Sequence, residues 1–554
     1  PDTSRIWPSK QELADEDDLQ EADEEQLPPP HQAENYPSAA EHEAAIEATF
    51  LEEVQLGLVS GPHTDEEAAQ ICGCTPDQLC HGALAGKLEG RYNDKLRTIH
   101  DGTVNKVNPW IKRNQRQRTT APTLADLMTG LGLTRHVRRR LLKLDASKAH
   151  RRIKILRKDW KYMTARTSRG VWVNKVGTYG VASAQYHWGR MAAIILRLIY
   201  YTFPHLLWAF VYVDDFAAIV PDEQADTTLF ALLMFLCALG LPISWKKVEM
   251  HHTLGWLGYL VAMPTHTALL TPDKQTTIMG ALALLGTDTH ISLETARQIA
   301  GRLNWATMVY PPMRAFLQPV FAWVSALLQR QERQKWGQAT SRTPRRLRIA
   351  ASHLSAIFMD HIPPHTIVTK TANYAAATDA GARDTEQGPD AYVGGWYGAR
   401  GATRDQVKWF YIKITPELHP WAYHKGHPRL CIAALELYGT LLLYRHMVGT
   451  EKDLLGPINL TLALQTDNKG NAYQATNHKA HNDLAANFLM ELAMVQYTTG
   501  VPLSLSHTYR ENNTWADQLT HADTSGFTAD RQFHPKECDW HVLGTLQDAT
   551  KLHK

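Results

Sequence analysis

The chain has 554 residues, more than one hydrophobic core supports, and this length predicts about three or four domains. Its apolar content of 44% and charged content of 21% are ordinary for a globular protein. The most apolar window, residues 191–213, is interrupted by Arg197 and Pro204, which argues against a membrane protein. The net charge of +2 hides an asymmetry, because residues 1–45 hold thirteen acidic and two basic side chains whereas the remainder holds 43 acidic and 56 basic ones.

Residues 1–45 are predicted to be a disordered leader. The segment "QELADEDDLQEADEEQLPPPHQ" is acidic and contains no aromatic residue, a composition that buries too little surface to fold. No signal peptide is visible and the chain opens on Pro1, so we expect a longer product with further element-encoded domains. Six cysteines in so long a chain form no disulfide framework, which predicts an intracellular location, cytoplasmic or nuclear.

Residues 46–265 mix predicted helices and strands and contain a strongly basic belt. Between Lys106 and Arg166 the sequence has eighteen Lys or Arg residues and three acidic ones. Such a charge density favours a polyphosphate partner such as a nucleic acid.

Within this region, "AFVYVDDFAAIV" (residues 209–220) places two adjacent carboxylates between two strand-like apolar runs. A two-residue hairpin turn usually contains Gly or Asn, and neither residue flanks Asp214 and Asp215. Adjacent carboxylates repel each other unless cations bind them, so the pair predicts a divalent metal site in preference to a plain turn.

Asp145 follows the apolar run of "LLKLDASKAHRRIKI" and is predicted to end a second strand that faces the pair. A nucleotidyl-transferring polymerase requires carboxylates on neighbouring strands that hold two divalent ions about 3.5 to 4 Å apart. Between these segments, "VGTYGVASAQYHWGRMAAII" predicts a loop that runs into a helix, where small residues allow a nucleotide close to the backbone.

The rest of the chain is predicted to form four regions. Residues 266–345 have helical apolar spacing that is broken at Pro311 and Pro312. Residues 346–370, which include most of "RTPRRLRIAASHL", are predicted to be a basic linker. Residues 371–530 alternate strands and helices, and residues 531–554 form a tail.

Four further acids are spread through residues 371–530. Asp379 ends a strand-like run in "YAAATDAGA", and "AYVGGWYGA" is the predicted neighbouring strand. Glu436 lies on a predicted amphipathic helix, Asp467 closes the strand "NLTLALQTDN", and Asp517 lies where a helix begins in "ENNTWADQLTHAD". Singly, each is more often a cap or a surface charge.

The order of the earlier segments resembles that of reverse transcriptases. "YVDD" at residues 212–215 matches the Y-x-D-D box of that family, and "LDASKAHRRIKI" resembles its first-aspartate motif. "GTYGVASAQ" resembles the template-positioning motif, in which proline usually stands at the position of Gln185. "LGLPISWKKVEM" and "LGWLGYLV" resemble the later palm motif and the primer grip. The resemblance covers about residues 50–340 and implies fingers and palm over 46–265 and a thumb and connection over 266–345.

The resemblance implies roles for individual residues. Asp145, Asp214 and Asp215 would be catalytic carboxylates that bind two Mg²⁺ ions, with Mn²⁺ as an alternative. "KLRTIHDGTVNKVN" resembles the fingers motif, in which Arg97 holds the triphosphate of the incoming dNTP and Lys95 assists. The resemblance also implies nucleotide-binding roles for His150, Gly180, Ser183, Gln185, Lys246 and Lys247. Either of these two lysines is a candidate phosphate ligand or general acid.

His150 departs from the family pattern. Five residues after the first aspartate the family usually has Tyr or Phe, whose ring blocks a 2′-hydroxyl and so selects deoxynucleotides. The imidazole is smaller and polar, so either it still fills this space or it admits ribonucleotides.

The later acids resemble the D-E-D-D set of ribonuclease H, which binds two Mg²⁺ ions and cuts the RNA strand of an RNA–DNA hybrid. This implies a ribonuclease H-like domain over 371–530 whose metal ligands are Asp379, Glu436, Asp467 and Asp517. His507, ten residues before Asp517, is implied to assist product release.

The combined resemblance implies an α+β polymerase right hand (fingers, palm and thumb) followed by an α/β ribonuclease H-like domain. Its function would be that of a retrotransposon enzyme that extends a DNA primer on an RNA template and degrades the RNA of the hybrid. "LRTIHD", "YVDDF", "ISWKKVE" and "AGRLN" are most similar to DIRS-like elements, with gypsy-like LTR elements second. The alternative is a domesticated, non-catalytic nucleic-acid-binding scaffold, against which the presence of all seven carboxylates argues. An RNA-dependent RNA polymerase leaves the D-E-D-D set unexplained.

Overall fold

The computed structural model describes residues 34–89, 95–114, 120–334, 339–360, 365–366, 370–386, 388–455 and 460–546. The chain divides into two compact units, with the boundary between Leu254 and Gly255. In the ranges just given, no helix is both long enough and apolar enough to cross a membrane.

The first unit mixes helices and strands. Its helices are α1 (Pro37–Glu41), α2 (Glu43–Gln55), α3 (Asp65–Cys72), α4 (Val107–Asn114), α5 (Leu124–Leu133), α6 (Ala182–Thr202) and α7 (Ala225–Ala238). Its strands are β1 (Val59–His63), β2 (Ala83–Glu89), β3 (Lys95–Asp101), β4 (Arg139–Asp145), β5 (Thr164–Thr167), β6 (Gly170–Asn174), β7 (Trp208–Tyr212), β8 (Asp215–Pro221) and β9 (Glu249–His251).

A four-stranded antiparallel sheet in the order β7-β8-β4-β9 is the centre of the first unit. Helices α6 and α7 cover it, and their apolar side chains form one core with those of the strands. Trp188, Ile199 and Leu232 are among the buried helix residues in this core. The apolar window at 191–213 is the later part of α6 followed by β7, the strand before the acids.

The predicted leader ends too late in the sequence. Helix α1 lies within it, and the Tyr36 N–H donates a 3.0 Å hydrogen bond to the Leu84 carbonyl of β2. Alanine-rich residues 38–48 favour helix formation, and buried Ala39 and Ile46 anchor α1 and α2 respectively. Residues 1–33, where most of the acidic charge lies, are outside the described ranges.

The second unit contains the remaining elements, starting with a hairpin whose first strand crosses the unit boundary. Its strands are β10 (Thr253–Trp256), β11 (Tyr259–Ala262), β12 (Thr267–Leu270), β13 (His290–Ser292), β14 (Thr340–Arg342), β15 (His365–Thr366), β16 (Lys370–Thr371), β17 (Tyr374–Thr385), β18 (Gly388–Ala399), β19 (Lys408–Ile414), β20 (Leu460–Thr466) and β21 (Leu503–His507). Its helices are α8 (Pro272–Gly286), α9 (Leu293–Ala306), α10 (Gln318–Arg333), α11 (Arg345–Asp360), α12 (Pro420–Tyr423), α13 (Ile432–Thr450), α14 (Lys469–Asn477), α15 (Asp483–Thr499) and α16 (Thr514–Thr520).

A six-stranded mixed sheet organises the later part of this unit. Strands β17, β18 and β19 are antiparallel neighbours, while β16, β20 and β21 join the sheet in parallel through β20. The predicted pairing of the "AYVGGWYGA" strand with the Asp379 strand is confirmed, with Asp379 opposite Gly394. Helix α13 packs against β17 and β18.

The predicted linker over 346–370 is wrong for its first part, which is helix α11. Helical spacing of buried Leu347, Leu354 and Phe358 explains the difference, because these side chains give the basic segment an apolar face that packs against α8.

The predicted tail is also part of the fold as far as residue 546. The carboxylate of Glu491, which is fully buried on α15, accepts the backbone N–H groups of His541, Val542 and Leu543 at 2.9, 2.7 and 3.1 Å. Charge-assisted hydrogen bonds of this kind hold the segment against the unit.

Candidate active sites

The first candidate site is at the hairpin between β7 and β8. Tyr212 and Asp215 are paired, so the turn itself consists of Val213 and Asp214. Val213 has φ of 55°, a conformation that is costly for a β-branched residue. The Trp188 indole N–H holds this turn by donating a 2.6 Å hydrogen bond to the Val213 carbonyl.

Register places the third acid beside the pair. Asp145, the last residue of β4, is directly opposite Asp215, the first residue of β8. In addition, the Ala146 N–H donates a 2.9 Å hydrogen bond to the Asp214 carbonyl. The sheet therefore brings the three predicted carboxylates to one end, as the sequence predicts.

The charge balance of this site is unusual. Burial is the main cause that raises the pKa of Asp215. The charge of Lys143 opposes this shift, whereas the charges of Asp214 and Asp145 add to it. The Asp145 carboxylate accepts hydrogen bonds from Lys247 Nζ at 2.7 Å and from Ser244 Oγ at 2.8 Å. Partial burial opposes protonation of Lys247, but this contact raises its pKa. Both candidate lysines are exposed, and of the two it is Lys247 that forms an ion pair with Asp145.

A loop and a strand form a wall near these acids. The Arg97 guanidinium of β3 lies over the Tyr179 ring at 5.0 Å, and the His150 ring meets the same ring edge-on at 5.3 Å. The backbone of Gly180 has φ of 103° and passes close to the His100 carbonyl, so a side chain has no room there. Lys95 belongs to β3, but its side chain is not among those described.

Two residues that the sequence analysis missed shape this wall. Asn108 donates a 2.7 Å hydrogen bond to the Gly180 carbonyl and accepts one from the Ala182 N–H at 2.8 Å. Tyr179 contributes the ring that both Arg97 and His150 contact. Ser183 and Gln185 are in the first turn of α6, half-buried and exposed respectively.

The resemblance to reverse transcriptases implies that His150 stands where a Tyr or Phe ring blocks a sugar 2′-hydroxyl, so we expect His150→Tyr to raise the preference for dNTPs over rNTPs. One steric contact of this kind is worth about 1 to 3 kcal/mol, or roughly 10- to 200-fold in selectivity. Single-nucleotide incorporation kinetics with each dNTP and rNTP pair measures it, with His150→Phe as the matched ring variant. An unchanged preference in both variants would mean that His150 does not select the sugar.

The second candidate site is in the other unit. Asp379 is in the middle of β17, so the prediction that it ends its strand is wrong, because this strand is paired with β18 along its whole length. Glu436 is on α13, and Asp467 directly follows β20. One ligand oxygen from each lies within 4.8 Å of the others. Among the described residues this is the only such group of three His, Cys, Asp or Glu side chains, so the acids of the first site do not form one.

Two of the three acids in this group are buried. Asp379 is 6% exposed and Glu436 is 7% exposed. Helix α13 is buried on nearly all sides, so the prediction that it is amphipathic is wrong, because helices and strands enclose it. Burial, followed by the Asp467 charge, raises the pKa of Asp379 to about 7. Burial and then the charges of Asp379 and Asp467 raise the pKa of Glu436 to about 8.

Asp517 on α16 lines the same cavity, which has a volume of about 290 Å³. It is outside the group of three and contacts Arg510 at 3.3 Å and His521 at 4.0 Å. His507 does not line the cavity; it ends β21, where it is paired with Thr466, the residue before Asp467. Arg510 and His521, which contact Asp517, are among the cavity residues that the sequence analysis missed.

The second group fits divalent cations. It offers carboxylate oxygens, which Mg²⁺ prefers, and the donors to Glu436 are the neutral groups Thr466 Oγ1 and Asn471 Nδ2 at 3.4 and 3.3 Å. Repulsion among the three acids is therefore poorly compensated by these neighbours. When bound, Mg²⁺ ions would supply Lewis-acid stabilisation of charge on a phosphoryl group.

In the presence of a chelator, Asp379→Asn is expected to stabilise the protein at pH 8. Unfolded Asp and Glu lose their protons near pH 4, whereas folded Asp379 and Glu436 keep theirs to about pH 7 and 8. Because the folded state binds more protons in this window, the free energy of unfolding falls as pH rises, by up to about 1.4 kcal/mol per pH unit for each proton. The amide removes one of these penalties and reduces the other. Thermal unfolding at pH 6 and pH 8 tests this, with exposed Asp530→Asn as the control. A melting temperature at pH 8 that is equal to or lower than that of the wild type would contradict it.

Comparison with known proteins gives only distant likeness. No family model matches the sequence, and no curated protein does. Among solved structures, a foamy viral protease-reverse transcriptase dRH in complex with double-stranded DNA has a TM-score of 0.47 and 11% identity over 87% of this chain and 72% of that chain. The foamy viral protease-reverse transcriptase with double-stranded DNA has values of 0.44, 12%, 92% and 86%, and with an RNA/DNA hybrid 0.40, 11%, 90% and 79%. All three TM-scores are below 0.5, so this likeness assigns no function to the two carboxylate sites.

Proposed function

We propose that the chain is an RNA-directed DNA polymerase of a retrotransposon with ribonuclease H activity. The observation that carries the proposal is the register of β4 and β8, which places Asp145 opposite Asp215 beside the Asp214 turn. A two-cation polymerase site requires carboxylates in this arrangement on neighbouring strands.

The residues around this site have matching roles in the proposal. The three carboxylates hold Mg²⁺ or Mn²⁺, and Lys247 supplies a positive charge next to them for a phosphate. Arg97 holds the triphosphate of a dNTP, with its guanidinium kept in place by the Tyr179 ring. The absence of a side chain at Gly180 lets this loop pack directly against the His100 carbonyl of β3, next to the strand that carries Arg97.

The group formed by Asp379, Glu436 and Asp467 is the proposed nuclease site, together with Asp517. Two buried acids with raised pKa values next to an open cavity are typical of a functional site rather than of a structural one. Its proposed substrate is the RNA strand of the RNA–DNA hybrid that the first site produces. A chain with both activities removes the template before a second DNA strand is made.

The finer parts of the proposal concern origin and location. A DIRS-like element is favoured over a gypsy-like one by the sequence motifs around residues 96–101 and 243–249. All six cysteines are free, which supports an intracellular location in the cytoplasm or nucleus. Primer extension on RNA and DNA templates, with each nucleotide type, tests the polymerase assignment directly.

We expect binding to a primer-template to weaken steeply with salt, but less steeply than the eighteen basic residues of the Lys106–Arg166 belt suggest. Several belong to the fold: Arg151 is buried against Glu53, and Arg140 pairs with Asp222. Exposed positions such as Lys154 and Lys158 remain for phosphates. The slope of log K against log salt should be about −3 to −6 and should fall in magnitude by about one for Lys154→Gln.

Fluorescence anisotropy with a labelled hybrid between about 50 and 200 mM salt measures this slope. Lys154→Arg keeps the charge and is the matched control. A flat salt response would show that the belt does not contact nucleic acid.

A further inference from the structure

Asp517 differs from the other three acids of the second site in its partner. Its Oδ1 lies 3.3 Å from an Arg510 guanidinium nitrogen, and it is outside the group of three carboxylates that lie within 4.8 Å of one another. In the described part of the chain, the fourth acid is thus neutralised by a cation of the protein while the first three are clustered.

The position of Arg510 is set by the fold. It starts a 3₁₀ turn of residues 510–512 that directly precedes α16, and buried Asn513 ties this turn to β17 through a 3.2 Å hydrogen bond to the Thr378 carbonyl. The Arg510 side chain is 80% exposed and lines the cavity, so it is accessible to a ligand.

The charge of Arg510 faces more than one acid. Its interactions with Asp517, Asp379 and Asp467 all favour the charged guanidinium. The permanent positive charge of Arg510 near these carboxylates competes with a divalent cation for them. At the same time, guanidinium binds phosphate with two parallel hydrogen bonds, and an exposed ion pair such as that with Asp517 contributes little stability and is easily exchanged.

We propose that Arg510 is a substrate-sensing counter-ion, which neutralises Asp517 in the free protein and moves to a backbone phosphate when a nucleic acid binds, so that Asp517 becomes available as a cation ligand. This inference rests on the proposed nuclease function. It makes cation binding and hybrid binding at this site cooperative, since each removes an obstacle to the other. In the absence of a hybrid, the ion pair keeps the fourth ligand occupied.

The test is a titration of the full chain with Mg²⁺ by calorimetry, with and without an RNA–DNA hybrid. The background carries Asp214→Asn and Asp215→Asn, which confines the measurement to the second site. Arg510→Gln should bind Mg²⁺ about 5-fold or more tightly than the background protein when no hybrid is present. It should also bind the hybrid more weakly, and the gain in Mg²⁺ affinity caused by the hybrid should fall.

Two variants sharpen the result. Arg510→Lys keeps the charge and should resemble the background protein in its affinity for Mg²⁺. Arg383→Gln removes a cation that lines the same cavity but contacts His521 and Tyr392 rather than Asp517, so its Mg²⁺ affinity should change less than about 2-fold.

Equal Mg²⁺ affinity of Arg510→Gln and the background protein would overturn the inference, even if hybrid binding is weaker, because Arg510 would then be an ordinary phosphate contact. An equal gain in the Arg383→Gln control would also overturn it, because any nearby positive charge would act alike. A wrong nuclease assignment would give a different result. The background protein would then show no Mg²⁺ binding that Asp379→Asn abolishes.

Discussion

Asp214→Asn is expected to abolish primer extension, with a loss of at least about 10³-fold in rate, because it removes one ligand of a two-cation site. The amide has nearly the same shape as the carboxylate, and the turn is held by backbone contacts, namely Trp188 Nε1 to the Val213 carbonyl and Ala146 N–H to the Asp214 carbonyl. The hairpin should therefore persist, and hybrid binding with it.

Extension of a labelled primer under single-turnover conditions measures this loss. Asp226→Asn is the matched control, because this residue of α7 is exposed and contacts Arg140 away from the Asp145 end of the sheet. Equal extension by the Asp214 variant and the wild type would show that the hairpin acids are not catalytic.

Asp467→Asn is expected to stop cleavage of the RNA strand, again by about 10³-fold, while DNA synthesis on the first strand continues. Asp467 completes the group with Asp379 and Glu436, and its negative charge is one of the causes of their raised pKa values. The two sites belong to separate compact units, so a change in one should leave the other folded.

A hybrid with labelled RNA reports cleavage, and a labelled primer in the same reaction reports synthesis. Exposed Asp530→Asn is the control for loss of an acid in the same unit. If Asp467→Asn cleaves like the wild type, its place in the nuclease site is wrong; if it loses both activities, the separation into two functional units is wrong.

The arrangement of the first site was predictable because it depends on local pattern. Alternating or continuous apolar runs on both sides of Asp214 and Asp215, and before Asp145, define three strands, and pairing of short antiparallel strands then brings the acids to one end. Pattern also predicts the nearness of Asp379 and Asp467, because parallel pairing of Ala377 with Gln465 places each acid two residues further along adjacent strand paths.

What the sequence could not supply depends on contacts between distant residues. The sequence left Lys246 and Lys247 equivalent, and only the fold brings Lys247 to Asp145. The sequence around Arg510 carries no pattern that predicts its contact with Asp517. The linker prediction for 346–370 is wrong in its first part because basic residues obscure an apolar helical face. The amphipathic prediction for the helix of Glu436 is wrong because neighbouring elements bury nearly all of its sides.

One reaction tests the central claim most directly. The wild-type chain is mixed with an RNA template carrying one label, a DNA primer carrying another, Mg²⁺ and the four dNTPs, beside Asp214→Asn and Asp467→Asn. With the wild type we expect extended DNA and fragmented RNA. With Asp214→Asn we expect no extended DNA, and therefore no newly formed hybrid that the nuclease site can cleave. With Asp467→Asn we expect extended DNA on intact RNA. Binding of the primer-template without any extension by the wild type, in Mg²⁺ or Mn²⁺, would contradict the account and identify the chain as a non-catalytic nucleic-acid-binding scaffold.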